Sequence, residues 1–209
     1  MKKRHIFLLV LAFLSFFVIN GMQTLNAEVL KGAKPNAKVL VLYFSRVGEQ
    51  YKIGKTEVGN TSIIANIIAQ YLKADIEEIK PTSPYPSSYE ECSDIALMEQ
   101  ETKARPSIIP LSKKVQNYDI IFLGYPIWWT DFPMIIYTIL ENNNFAGKTI
   151  IPFCTHEGSA AAKTVEHIKK AAPKANVLKA LAIKGEVAQN KRDEAKKITI
   201  EWLKKIELK

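Results

Sequence analysis

Cysteine is nearly missing from this chain: Cys92 and Cys154 are the only two in 209 residues. Two thiols cannot build a disulfide framework, and they do not form a metal-site spacing. There is no internal repeat and no low-complexity linker, so a solenoid or a multidomain array is excluded. No Walker-type lysine loop, G-x-G-x-x-G fingerprint or G-x-S-x-G elbow is present, and the few histidines have no clear Ser/Asp arrangement. A nucleoside triphosphatase, a classical dinucleotide fold and an α/β hydrolase are therefore disfavoured. No basic-aromatic stripe and no nucleic-acid motif occurs, so no nucleic-acid partner is expected. What remains is ordinary: 47% hydrophobic and 24% charged residues, a composition that rules out collagen, coiled coil and wholesale disorder. The length suits one α/β domain with a sizeable core.

The first 27 residues read as an address. Lys2, Lys3 and Arg4 precede an apolar run over residues 6–19, broken only by Ser15, and a polar stretch ends at Ala27. This is the layout of a secretory signal peptide cleaved after Ala27. The run is short of the roughly 20 apolar residues that span a bilayer; an uncleaved N-terminal anchor is the alternative, because Leu25 is not a small residue. No Cys follows the run, which disfavours a lipoprotein, and Lys3-Arg4 is not a twin-arginine pair. The expected location is outside the cytoplasm: periplasmic, secreted or, if uncleaved, membrane-anchored. Of the 29 basic residues, 26 lie after residue 27, against 21 acidic ones, so the mature chain is mildly basic at +5. Residues 28–37 are a short extension, and 38–209 form the domain.

That domain alternates strand and helix. Buried-strand runs fall at residues 38–44, 75–79, 118–124, 148–155 and 177–183, rich in Val, Ile and Leu. Helical periodicity covers 60–72, where Ile63, Ile64, Ile67, Ile68, Tyr71 and Leu72 share a face, and 88–103, 133–141, 159–172 and 191–206. In the last helix Ala195, Ile198, Trp202 and Ile206 make the expected buried side. Pro152 inside the fourth strand predicts irregularity there. Five strands alternating with five helices predict a parallel sheet covered on both faces, with its ligand beyond the carboxyl ends of the strands.

Three loops occupy that end. After strand one come Ser45, Arg46, Val47 and Gly48, and then Gly59, Asn60, Thr61 and Ser62 at a helix start. Hydroxyls and backbone N–H groups there suit a single phosphate, although Asn60, Thr61 and Ser62 equally suit a plain helix cap. After strand three, Pro126, Ile127, Trp128 and Trp129 put two adjacent tryptophans in a loop, where one can stack on an aromatic ligand while the other plugs the sheet edge. After strand four, Thr155, His156, Glu157 and Gly158 open a helix and either face a ligand or are merely solvated.

The segments "YFSR" and "GNT" between Tyr43 and Thr61, "GYPIWW" at 124–129, and "GKTIIPFCTHEGS" at 147–159 resemble flavodoxin, and "PTSPYPSSYEE" at 81–91 resembles its longer-loop branch. The resemblance runs from Lys38 to the C-terminus. It implies an α/β, flavodoxin-like three-layer sandwich, a five-stranded parallel sheet of order 2-1-3-4-5 with helices on both faces, and non-covalent FMN. It also implies that Ser45, Asn60, Thr61 and Ser62 hold the phosphate, while the 126–129 and 155–158 loops flank the isoalloxazine. Two features depart from the pattern. Eleven residues, 48–58, separate Val47 from Gly59, so Tyr51 and Lys52 are candidates to fold over a ligand, and Gly48 and Gly59 compete for the tight turn. The chain is also basic where electron-carrying flavodoxins are acidic.

The leading expectation is an exported FMN protein in electron transfer, its partner a redox protein or a small-molecule acceptor. An FMN-dependent NAD(P)H or quinone oxidoreductase and a flavin-free binding module are the alternatives. Export of an unfolded chain would require flavin to be acquired outside the cytoplasm. No membrane partner is expected unless the leader stays attached. Cys92 and Cys154 are expected as separate thiols.

Overall fold

The computed structural model describes residues 30–208. The signal-peptide reading of residues 1–27 lies outside the described residues. Strand β1 (Val39–Tyr43) is buried at all five positions. Its alternate side chains feed two separate cores: Val39, Val41 and Tyr43 enter one, Leu40 and Leu42 the other. That period-two division is why the run reads as continuously apolar. Strands β4 (Asp75–Glu78), β5 (Ile120–Pro126) and β6 (Thr149–His156) join it in parallel. Helix α1 (Asn60–Leu72) covers the first face with Ile63, Ile64 and Ile68. Helix α3 (Met134–Asn142) covers the second with Ile135, Ile136 and Ile139. Between β4 and β5, α2 (Tyr89–Glu101) starts at Ser88, whose Oγ accepts the Glu91 N–H at 3.4 Å, a capping-box start that the sequence marks plainly.

The sheet order is β4-β1-β5-β6 and then a fifth position, the expected 2-1-3-4-5. That fifth position is not one strand. It is β7 (Asn176–Val177) followed by β8 (Leu181–Lys184), both paired with β6. The irregularity expected at Pro152 falls here rather than in β6, which runs unbroken. The carbonyls of Lys148 and Ile150 accept from Asn176 and Leu178, so even-numbered residues of β6 face this edge. Pro152 therefore presents its missing N–H to it, and the ladder breaks between Leu178 and Leu181.

Three local expectations need correction. The segment 48–58 forms an antiparallel hairpin of β2 (Gly48–Gln50) and β3 (Gly54–Thr56). The helix expected over 159–172 begins only at α4 (Thr164–Ala171), because Ala160 and Ala162 have φ of 50° and 46° and cannot continue a right-handed helix. Thr164 is pinned there, its hydroxyl donating to the Ala161 carbonyl and accepting from Tyr125. A short helix not expected from the sequence, α5 (Gly185–Asn190), precedes the closing helix, which is α6 (Arg192–Leu203) and ends before residue 206. In α6 the buried side is Ala195, Thr199 and Leu203, while Ile198 is 36% exposed. At the N-terminal end of the described chain, Leu30 joins the first core and Lys31 pairs with Glu207.

Gly124, near the carboxyl end of β5, lies under the Phe153 ring, and a Cβ there would overlap that ring. Gly124→Ala should cost about 1–3 kcal/mol by overpacking, read as a fall in urea midpoint at constant slope. Phe153→Leu in the same chain should recover part of the loss.

Candidate functional site

The carboxyl ends of β1, β5 and β6 open into one cavity of about 340 Å³. Its lower end is polar. Gly59 precedes α1 in an extended conformation and offers no side-chain cap, and the first turn carries no acid. The helix N-terminus therefore has no cap of its own and is electropositive. A Cβ on Gly59 would overlap Ser45 Oγ and the Arg46 carbonyl, so glycine lets the first loop close onto the helix. Ser45 Oγ accepts the Ser62 N–H at 3.0 Å. Gly48, by contrast, has φ of 100° and starts the hairpin; the two glycines serve different turns. The Thr61 and Thr155 hydroxyls share a hydrogen bond of 2.8 Å and tie α1 to β6. The Asn60 amide and the Glu157 carboxylate lie against the bare Cα of Gly185. Asn60 Oδ1 and Glu157 Oε1 are buried with no hydrogen-bond partner, an expensive state for a site that is complete without a ligand.

Arg46 lines the cavity but spends its guanidinium elsewhere. It donates to the carbonyls of Glu49, Pro86, Ser87 and Ser88 and is 9% exposed. It thereby fastens the hairpin to the segment that leads into α2.

The aromatic loop is strained. Trp128 and Asp131 exchange both backbone hydrogen bonds, and Trp129 and Thr130 between them have φ of 47° and 65°. This is a two-residue turn of the I′ kind, which favours Asn-Gly. A side chain in this region costs about 1–2 kcal/mol. The Trp129 indole N–H donates to the Ser93 carbonyl at 2.9 Å, and Gln100 donates to the Trp129 carbonyl. The Asp131 carboxylate accepts from the Phe132 N–H and the Tyr137 hydroxyl and pairs with His167 Nδ1 at 2.8 Å. Trp128 packs edge-on against Phe44 and Tyr85, with centroids at 5.6 and 5.1 Å. Trp129 remains 48% exposed at the rim.

In the third loop, His156 Nδ1 accepts the N–H groups of Gly158 and Ala160 at 3.0 and 3.1 Å. The ring is thus the neutral tautomer with its proton on Nε2. Burial, helped by the Lys184 charge, holds its pKa below the usual histidine value. Burial pushes the Glu157 carboxyl up; the Glu186 and Gly185 N–H groups oppose the rise, Glu186 adds to it, and Lys184 lowers it.

Of the fourteen residues singled out in the sequence, Ser45, Arg46, Asn60, Thr61, Pro126, Ile127, Trp128, Trp129, Thr155, His156 and Glu157 line the cavity. Gly59, Ser62 and Gly158 are not among its lining residues. Sequence reasoning missed Tyr89, Cys92, Ser93 and Ala96 of α2, and had only the length of the insertion to point to Tyr51. The capping box locates the start of α2, but no local signal says that this helix packs beside a loop about 35 residues away. Cys92 and Cys154 are separate buried thiols, pushed up by burial to about 11 and about 12. Among the described residues no group of three or more His, Cys, Asp or Glu is placed to hold a metal ion.

Because the folded state resists protonating His156, its contribution to stability is complete above about pH 6.5 and shrinks as the pH falls below that. An NMR titration should place the His156 midpoint below that of a model histidine, with Nε2 protonated. His156→Ala should flatten this part of the stability–pH profile.

A family model described as Flavodoxin matches residues 38–200. No curated protein matches the chain. Among solved structures, a candidate flavoprotein of Bacteroides uniformis is 29% identical, with 84% of this chain and 100% of that chain covered and a TM-score of 0.64. A candidate flavoprotein of Bacteroides eggerthii is 28% identical, covering 76% and 98%, at 0.57. A flavoprotein of Lactobacillus acidophilus, solved in complex with FMN, is 27% identical, covering 75% and 99%, at 0.55.

Proposed function

The chain belongs to the flavodoxin family, and we propose that it binds FMN non-covalently and works in electron transfer. The observation that carries this reading is the open cradle at the start of α1. A helix N-terminus with no cap from its own Gly59, closed onto Ser45 through that glycine, brings the Asn60 amide and the Thr61 hydroxyl to the cavity wall. Such a terminus is suited to a phosphate, and the residues present fit one. Ser45, Asn60 and Thr61 would hold the phosphate, with Ser62 fixing Ser45 through its N–H, and Trp128 on the same cavity would take the ring system. The FMN complex of the Lactobacillus acidophilus relative supports the choice of cofactor. When bound, FMN supplies redox chemistry by taking up and releasing electrons. The protein's own part is to bind and orient: Arg46 fixes the outer wall, Asp131 holds the aromatic turn, and His156 offers a neutral ring to the cavity. The electron donor and acceptor are a redox protein or a small molecule that meets the cavity rim.

FMN added to the purified protein should bind with a shifted flavin absorption band, and riboflavin, which lacks the phosphate, should bind far more weakly. Asn60→Ala should weaken FMN about ten- to hundredfold, the worth of one hydrogen bond to a charged group, and should leave riboflavin nearly unchanged. Equal affinity for FMN and riboflavin would rule out the phosphate cradle.

We also propose that the chain works outside the cytoplasm without its first 27 residues, a reading supported by Lys2, Lys3, Arg4 and the apolar run that follows. N-terminal sequencing of extracytoplasmic protein should begin at Glu28; an intact leader in the membrane fraction would show anchoring instead.

A further inference from the structure

We propose that His156 is a proton-sensitive clamp on the cavity: its neutral ring holds the strained segment 158–162 closed beside the site, and protonation of the ring releases that segment and loosens the hold on a bound ligand. The consequence for FMN rests on the reading above; the clamp itself does not.

The first argument is strain. His156 ends β6 and lines the cavity, as do Glu157 and Ser159 after it. The chain then takes Gly158, Ala160 and Ala162 through φ of 146°, 50° and 46°. Glycine adopts such angles freely, and alanine does not. Two left-handed alanines within three residues persist only where other contacts hold them. At the α4 end the hold is Thr164, whose hydroxyl and N–H both donate to the Ala161 carbonyl. At the cavity end it is His156 Nδ1, which accepts the N–H groups of Gly158 and Ala160 at 3.0 and 3.1 Å. A contact of 3.9 Å from Cys154 Sγ to the Ala160 carbonyl adds little, because a thiol is a weak donor.

The second argument is the chemistry of Nδ1. A ring nitrogen accepts only while it carries no proton, and an imidazolium donates from both nitrogens. A proton on Nδ1 would face two N–H groups, so both hydrogen bonds are lost in one step. Thr164 still holds the far end. The release is therefore local, and it frees Ser159 from the cavity wall.

The third argument is that the surroundings do not compensate the charge. Lys184 of β8 pairs with His156 in the sheet register and repels an imidazolium. Glu157 would attract one, but burial pushes its carboxyl up, and it lies against Gly185 with Glu186 beside it at the start of α5. Arg46, the other charged side chain lining the cavity, is spent on four carbonyls. Burial and Lys184 hold the ring below the usual histidine range. The closed segment thus resists the proton, and by linkage the proton favours the open one.

The test follows the segment and the ligand separately. Wild type, His156→Asn and His156→Leu are compared between about pH 7.5 and about pH 5, with folding checked by thermal melts. Asn sets a carbonyl oxygen where Nδ1 stands and does not titrate; Leu offers no acceptor. In flavin-free wild type, hydrogen-exchange protection of the Gly158 and Ala160 amides, corrected for intrinsic exchange, should fall by up to about tenfold for each pH unit below about 6.5. Buried Val41 of β1 should keep its protection. His156→Asn should stay protected throughout, and His156→Leu should have lost protection already at the upper pH. The ratio of FMN affinities, wild type over His156→Asn, should fall severalfold on acidification; taking the ratio cancels the titration of the phosphate itself. Protection that holds in acid in the wild type, or survives in folded His156→Leu, overturns the clamp. An affinity ratio that stays constant or rises in acid overturns its coupling to the ligand. A wild type that binds no FMN overturns the cofactor reading alone, because the exchange result stands without flavin.

Discussion

Burial of the central sheet on both faces governs everything else in this molecule. Strands β1, β5 and β6 each send alternate side chains into two cores. Neither face is then available to a ligand, and chemistry is confined to the ends of the strands. At the carboxyl end the backbone must turn into helices, and the start of α1 has no cap from its own Gly59. The polar cradle is thus a consequence of the covering helices, sharpened by a glycine that lets Ser45 approach.

Around this end the protein holds two costly conformations in place with polar anchors. The Trp129-Thr130 turn is strained, and the Asp131 carboxylate, set between Tyr137 and His167, fastens it to α3 and α4. The hairpin would be a marginal element alone; Arg46 joins it to the entry of α2 through carbonyl contacts that a lysine could not reproduce as a planar fork. Strain at a site persists only where surrounding contacts over-determine it. Both anchors stand behind the aromatic end of the cavity, which is where a ring system requires fixed walls.

The charged groups around the cavity are largely committed. Arg46 is satisfied by carbonyls, and His156 is held neutral by the two N–H groups on Nδ1 and by burial. Glu157, pushed up by burial, is the exception: it stands against Gly185 beside Asn60 of the α1 terminus, with one oxygen unpartnered. A negative group near an anion cradle opposes the anion unless it is screened or protonated, so the helix terminus, Lys184 and the amides of Gly185 and Glu186 all bear on how that end of the site performs.

Much of this was legible in the amino-acid sequence because it is local. The run at 38–44, the α1 face of Ile63, Ile64 and Ile68, and the Ser88–Glu91 cap each declare themselves within a few residues. Alternating elements and right-handed crossovers narrowed the topologies to a few, and the order of the strands came from the resemblance to flavodoxin. Even Pro152 announced a break, though only pairing could place it in the neighbouring strand, because its missing N–H faces that edge. Tertiary structure alone decided the rest. Whether Arg46 faces a ligand or four carbonyls, which tryptophan is packed and which is exposed, and where Tyr51 and Tyr89 meet depend on contacts between segments tens of residues apart. Sequence patterning sets which face of an element is apolar; it carries no information about which distant backbone a guanidinium or an indole will reach.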